Sequence, residues 1–126
     1  MRHESAPPTG FLHIHEERGH TVLEFRGEID LVAAMEIVPH LDAATGGQTP
    51  HVAIDLRNIA FFDCSGLRLL YRARHRVQAN GGRLLLICDH PLTLRVMRVT
   101  GLHRLLPAAP TLDEALNRLE AASGSR

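Results

Sequence analysis

Two short, almost continuous apolar runs, Val52–Leu56 (VAIDL) and Leu84–Cys88 (LLLIC), constrain this chain more than any other feature. Runs of this kind suit strands that other elements cover. Between them lies a stretch from Asp63 to about Ala79 with apolar residues at helical spacing, ended by Asn80-Gly81-Gly82. A strand, a helix and a second strand in that order read as parallel neighbours joined by a right-handed crossover.

The rest of the chain extends the alternation. Phe11–His15 and Thr21–Phe25 alternate apolar and polar residues around a turn at Glu16–His20, which is a hairpin signal. Gly27-Glu28-Ile29-Asp30 closes the second strand. Ala33, Ala34, Ile37, Val38 and Leu41 then recur at helical spacing until Gly46-Gly47, with Pro39 expected to bend or divide that helix. His90–Thr100 reads as a helix that tolerates Pro91 in its first turn and stops at Gly101. Leu102–Leu106 is expected to form an edge strand. Thr111 is placed to cap a final helix, with Glu114 completing a capping box. The order ββαβαβαβα predicts an α/β fold, a mixed sheet with helices laid against it.

Length and charge narrow the function. A chain of 126 residues closes one core. Residues 11–120 are expected to form the domain, with residues 1–10 a flexible leader and 121–126 a flexible tail. Fourteen basic and fourteen acidic residues leave no net charge to attract nucleic acid or an anionic membrane. No apolar run approaches the roughly 20 residues that span a bilayer, and MRHESAPPTG carries no signal-type apolar segment. Cys64 and Cys88 are too few for a disulfide framework and read as reduced thiols, so a cytoplasmic protein is expected. His13 and His15 share a strand face, but no third ligand stands at a metal-binding spacing, so no metal or other cofactor is expected. Neither a G-x-S-x-G elbow nor a phosphate-binding glycine loop is present, which argues against an enzyme.

The most informative segment is Ile54–Leu70, IDLRNIAFFDCSGLRLL, in which a strand leads through a loop into Asp63-Cys64-Ser65-Gly66 at the start of a helix. Asp63 suits the N-cap, because its carboxylate can accept from first-turn N–H groups. Cys64 and Ser65 then sit in the positive end of the helix dipole, where added negative charge is tolerated. An ordinary capped strand-to-helix turn explains the same residues.

The segment also resembles the signature of bacterial anti-sigma-factor antagonists, the STAS domain family. Members carry a strand ending in Asp-Leu, here Asp55-Leu56, then Asp-Ser-Ser/Thr-Gly-Leu, here Asp63-Cys64-Ser65-Gly66-Leu67. Gly27-Glu28-Ile29-Asp30, Gly81-Gly82 and Gly101-Leu102 resemble the family too, over residues 11–120 as a whole. The resemblance implies a mostly parallel sheet of four to five strands with helices mainly on one face. It also implies an anti-sigma factor with a histidine-kinase-like ATPase fold as partner, whose capture frees a sigma factor, and a monomer when free. The phospho-acceptor position of the family falls on Cys64, leaving Ser65 as the nearest hydroxyl. Constitutive binding, phosphorylation of Ser65 and thiol sensing at Cys64 are three readings of that departure. A STAS module serving another signalling assembly is the alternative function. Arg68, Arg72 and Arg76 recur at i, i+4, i+8 beside the loop, either as a solvated face or as a basic patch for an acidic partner. The expected partner surface thus comprises Glu28, Asp30, Asp63, Cys64, Ser65, Gly66, Arg68 and Arg72.

Overall fold

The computed structural model of the protein describes residues 10–124. Of the leader expected at residues 1–10, all but Gly10 lies outside the described residues, as do 125 and 126 of the expected tail. Strands β1 (Leu12–Glu17) and β2 (His20–Ile29) form the hairpin. Its turn is only Arg18-Gly19, with φ of 51° and 79°. Both residues are left-handed, as in the tight turn whose twist matches its flanking strands. Helix α1 (Leu31–Thr45), strand β3 (His51–Phe62), helix α2 (Cys64–Ala79) and strand β4 (Arg83–Ile87) follow. Helices α3 (Pro91–Thr100) and α4 (Leu102–Leu105), strand β5 (Ala108–Ala109) and helix α5 (Leu112–Gly124) complete the fold.

The five strands stand in sequence order, β1 antiparallel to β2 and the rest parallel. Alternation along the strands divides the core in two. Leu23, Ile54 and Leu86 face α1 and α2, where Ala33, Ile37, Leu41, Leu70, Ala73 and Val77 are buried with them. Val22, Ala53 and Ile87 face the other way, against Leu112 and Leu116 of α5. Helices therefore lie mainly on one face, with α5 alone among the described helices on the reverse.

Three local expectations change. Leu102–Leu106 is not a strand: Leu106 N–H donates to Leu102 O at 2.8 Å, closing a helical turn. Leu102 and Leu106 are both buried, which strand and helix spacing would each allow, and the backbone bond between them decides for the helix. Gly101, at φ 82°, ends α3 and allows the immediate restart. The edge strand is instead Ala108–Ala109, paired with Leu86 and Ile87. Pro39 does not divide α1, which runs through it. The proline lies on the exposed side of the helix, where water can serve the carbonyl its ring leaves unbonded. Finally, β3 does not end near Leu56 but continues to Phe62, carried by irregular pairing with Arg26–Ile29 of β2. Gly27, at φ 77°, supplies the left-handed backbone at that irregularity. Apart from these, the last helix reaches Gly124, within residues 121–126 that were expected as a tail.

Candidate functional site

The extended end of β3 brings two sequence motifs to one edge of the sheet. Glu28 pairs in register with Phe61 and Ile29 with Phe62, and the Asp63 N–H donates to Ile29 O at 3.3 Å. The chain therefore enters α1 and α2 side by side, each helix capped by an aspartate. Asp30 Oδ1 accepts from Ala33 N–H at 3.0 Å, and Asp63 Oδ1 accepts from Ser65 N–H at 2.8 Å. Both carboxylates satisfy first-turn donors, so each has a local structural task besides any contact with a partner.

At the start of α2, Cys64 is exposed, Ser65 half-buried and Gly66 buried. The thiol therefore occupies the outward position of the loop. Gly66 has a role that sequence reasoning missed. A Cβ at Gly66 would lie 2.5 Å from both Cβ and Cδ2 of Phe62, far inside van der Waals contact. The helix sits directly on the last residue of β3, and only glycine permits it. A glycine at N3, where helix propensity argues for almost anything else, is the signal that could have pointed to a close approach.

The arginine stripe separates. Arg72 grips the Asp42 carboxylate of α1 through two bonds of 2.7 and 2.6 Å. That hydrogen bond, more than the neighbouring Arg76 charge, holds the Asp42 carboxyl below its usual range. Arg76 donates to Thr45 Oγ1 at 2.8 Å and to Asp42 O at 2.9 Å, and Asn80 donates to Thr45 O at 3.0 Å. These side chains fasten α2 to α1. Arg74 donates to Leu105 O at 3.2 Å. Arg68, exposed on the turn nearest the loop, remains as the basic group beside Cys64 and Ser65. Glu28, also exposed, stands on the adjacent strand end.

The other singled-out residues have local partners. Asp55 accepts from Arg57 N–H and Nε at 3.0 Å each and from its Nη2 at 2.9 Å, so it anchors the backbone just after the apolar run of β3. His15 Nε2 meets Glu17 at 3.0 Å, and among the described residues no group of three or more His, Cys, Asp or Glu is arranged to hold a metal ion. Cys88 is buried, and that burial pushes its thiol above the usual range. No described helix is long and apolar enough to cross a membrane. The surface of the site also carries apolar side chains that sequence reasoning did not single out. Leu31, Val32 and Met35 of α1 are exposed on one side of the loop, and Phe61, Leu92 and Val99 are exposed near its other side. The α1 residues fall off the Ala33–Ile37–Leu41 stripe, and that offset was legible in the helical spacing.

Comparison with known proteins agrees with this arrangement. The family model described as "STAS domain" matches residues 12–115. A Paenibacillus polymyxa protein named anti-sigma F factor antagonist is 26% identical over 114 residues, covering 89% of this chain and 97% of its own. The crystal structure of an anti-sigma factor antagonist from Mycobacterium paratuberculosis superposes with a TM-score of 0.78 at 29% identity, over 92% of this chain and 98% of that one. An anti-sigma-factor antagonist domain protein from Planctomyces limnophilus gives 0.76 at 28% identity, over 86% and 97%. With the matched span covering the sheet, both capped helices and the loop between β3 and α2, the chain belongs to the STAS domain family.

Proposed function

We propose that this chain is an anti-sigma-factor antagonist, a cytoplasmic monomer when free, that acts by binding rather than catalysis. Its partner is an anti-sigma factor with a histidine-kinase-like ATPase fold, and capture of that partner frees a sigma factor. The observation that carries the reading is the juxtaposition of Glu28-Ile29-Asp30 with Asp63-Cys64-Ser65-Gly66, joined through the Asp63 N–H and Ile29 O. An exposed, capped loop with Leu31, Val32 and Met35 of α1 exposed beside it suits a protein contact surface. The names of the relatives over nearly the full chain support the same reading.

The contact surface consists of Glu28, Asp30, Asp63–Gly66 and Arg68, and Arg72 is placed in the hold on Asp42 of α1 rather than on the partner. Cys64 takes the outward position in which a hydroxyl would accept phosphate, so the domain binds its partner constitutively. Phosphorylation of Ser65 is disfavoured by its half-buried setting. The test uses the purified chain, ATP and the anti-sigma factor of the same genome, with intact-mass spectrometry and a binding titration. Wild type is expected to bind without gaining phosphate, whereas Cys64→Ser gains one phosphate on residue 64 and loses affinity. Phosphate on wild-type Ser65 removes the constitutive reading, and absence of binding to any such ATPase removes the antagonist reading.

A further inference from the structure

Strand β4 pairs with β3 only as far as Asp55–Ile87, so the far end of β3 has β2 on one side and, among the described residues, no strand on the other. Helix α3 stands across that gap and leaves an open groove of about 410 Å³. Its walls are apolar: Phe61, Phe62, Leu92, Val96 and Val99, with Leu92 69% and Val99 78% exposed. Side chains of that kind left in water mark a place that something covers. The volume lies within the range of small-ligand sites, which are mostly apolar with a few directing polar groups.

The polar groups of the lining identify the occupant. His90 Nδ1 caps α3, 3.5 Å from Thr93 N and 3.4 Å from Thr93 Oγ1. Thr100 Oγ1 donates to Val96 O at 2.9 Å. Arg95, exposed between Leu92 and Val99 on the same face of α3, pairs with no carboxylate among the described residues, and none lines the groove. One positive charge beside an apolar trough asks for a ligand with a long apolar body and a single anionic head. The guanidinium fork matches a carboxylate. The wall formed by α3, ten residues and so about 15 Å long, limits the chain to medium length.

We propose that the groove between β3 and α3 binds a free medium-chain fatty carboxylate, its chain on Phe61, Val96 and Val99 and its head on Arg95. Phe61 and Phe62 run directly into Asp63, so the bound chain lies against the segment that carries the recognition loop. The site does not depend on the identity of the protein partner.

The test is a titration of the full chain with sodium dodecanoate, kept below its micelle concentration, followed by amide chemical shifts. Saturable shifts are expected at Phe61, Val96 and Val99. Decanoate, two methylenes shorter, binds about tenfold more weakly. Arg95→Glu weakens dodecanoate at least tenfold, and Val99→Glu, a change at an exposed position, abolishes it. Dodecyltrimethylammonium, the cationic analogue, does not compete. Absence of saturable groove shifts overturns the proposal, as does equal binding of the cationic analogue. If Val99→Glu instead releases the anti-sigma partner while dodecanoate leaves the groove unperturbed, the surface is a protein dock and the proposal fails.

Discussion

Replacing Gly66 with alanine tests the idea that contact with Phe62 fixes the recognition loop. The added Cβ would lie 2.5 Å from Phe62 Cβ and Cδ2 and 2.9 Å from Cγ. A flexible ring can swing away, but a Cβ moves only with its backbone, so β3 and α2 must separate. Overpacking of this kind costs about 1–3 kcal/mol, and contact with a backbone-fixed atom places it near the upper end. Alanine returns about 1 kcal/mol of helix propensity relative to glycine. The net loss is about 2 kcal/mol, or roughly 6–10 °C in Tm for a domain of this size. Urea unfolding followed by circular dichroism measures it. The contact geometry also orders the suppressors. Phe62→Ala removes the ring but keeps the Cβ, so it leaves most of the cost of Gly66→Ala in place. Phe62→Gly removes the steric coupling and returns a double mutant no worse than the sum of its other losses. If Gly66→Ala is as stable as wild type, or gains the propensity term alone, the loop is not set by this contact and the argument fails.

Two further predictions follow from the charged groups. His20 is buried and its ring stacks on His51 at 5.5 Å, while Arg83 and Arg18 add positive charge nearby. Burial first, and those neighbours with it, lower its pKa below 6.5. The unfolded chain therefore binds the proton more readily, so this group's contribution is intact above about pH 6.5 and is lost as pH falls towards the folded pKa. Urea midpoints between pH 7.5 and about 5 should fall with acidification, and His20→Gln should flatten that slope; an unchanged slope refutes the assignment. In the other case, Arg72→Ala should raise the Asp42 carboxyl towards its ordinary range, read by carboxyl chemical shifts, and leave partner affinity almost intact. Arg68→Glu should weaken the partner without shifting Asp42. Loss of binding in both variants to the same degree returns Arg72 to the contact surface.

Much of the fold was readable in the chain because its signals are local. The period-two hairpin, the continuous runs at Val52–Leu56 and Leu84–Cys88, and the glycine stops depend on neighbours within a few residues. So do the caps at Asp63 and Thr111, where Glu114 N–H donates to Thr111 Oγ1 at 3.0 Å. The motif Asp63-Cys64-Ser65-Gly66 was likewise visible, since an N-cap and its first turn are sequence neighbours. Leu102–Leu106 was misread because five residues with apolar ends satisfy either period, and only the surface they meet decides between strand and helix. The length of β3 was hidden for the same reason: Arg57–Phe62 has no clean alternation and is extended because β2 pairs with it.

The distribution of roles among identical residue types was decided by tertiary structure alone. Arg68, Arg72 and Arg76 share one face of a helical wheel, yet Asp42 and Thr45, some thirty residues earlier, claim two of them and leave the one nearest the loop. Gly66 reads as a poor helix residue until Phe62 is seen beneath it. The groove at Val96 and Val99 exists only because β4 ends before β3 does. Covalent neighbours set what each segment becomes, whereas pairing across the sheet sets which side chains are left over to meet anything else.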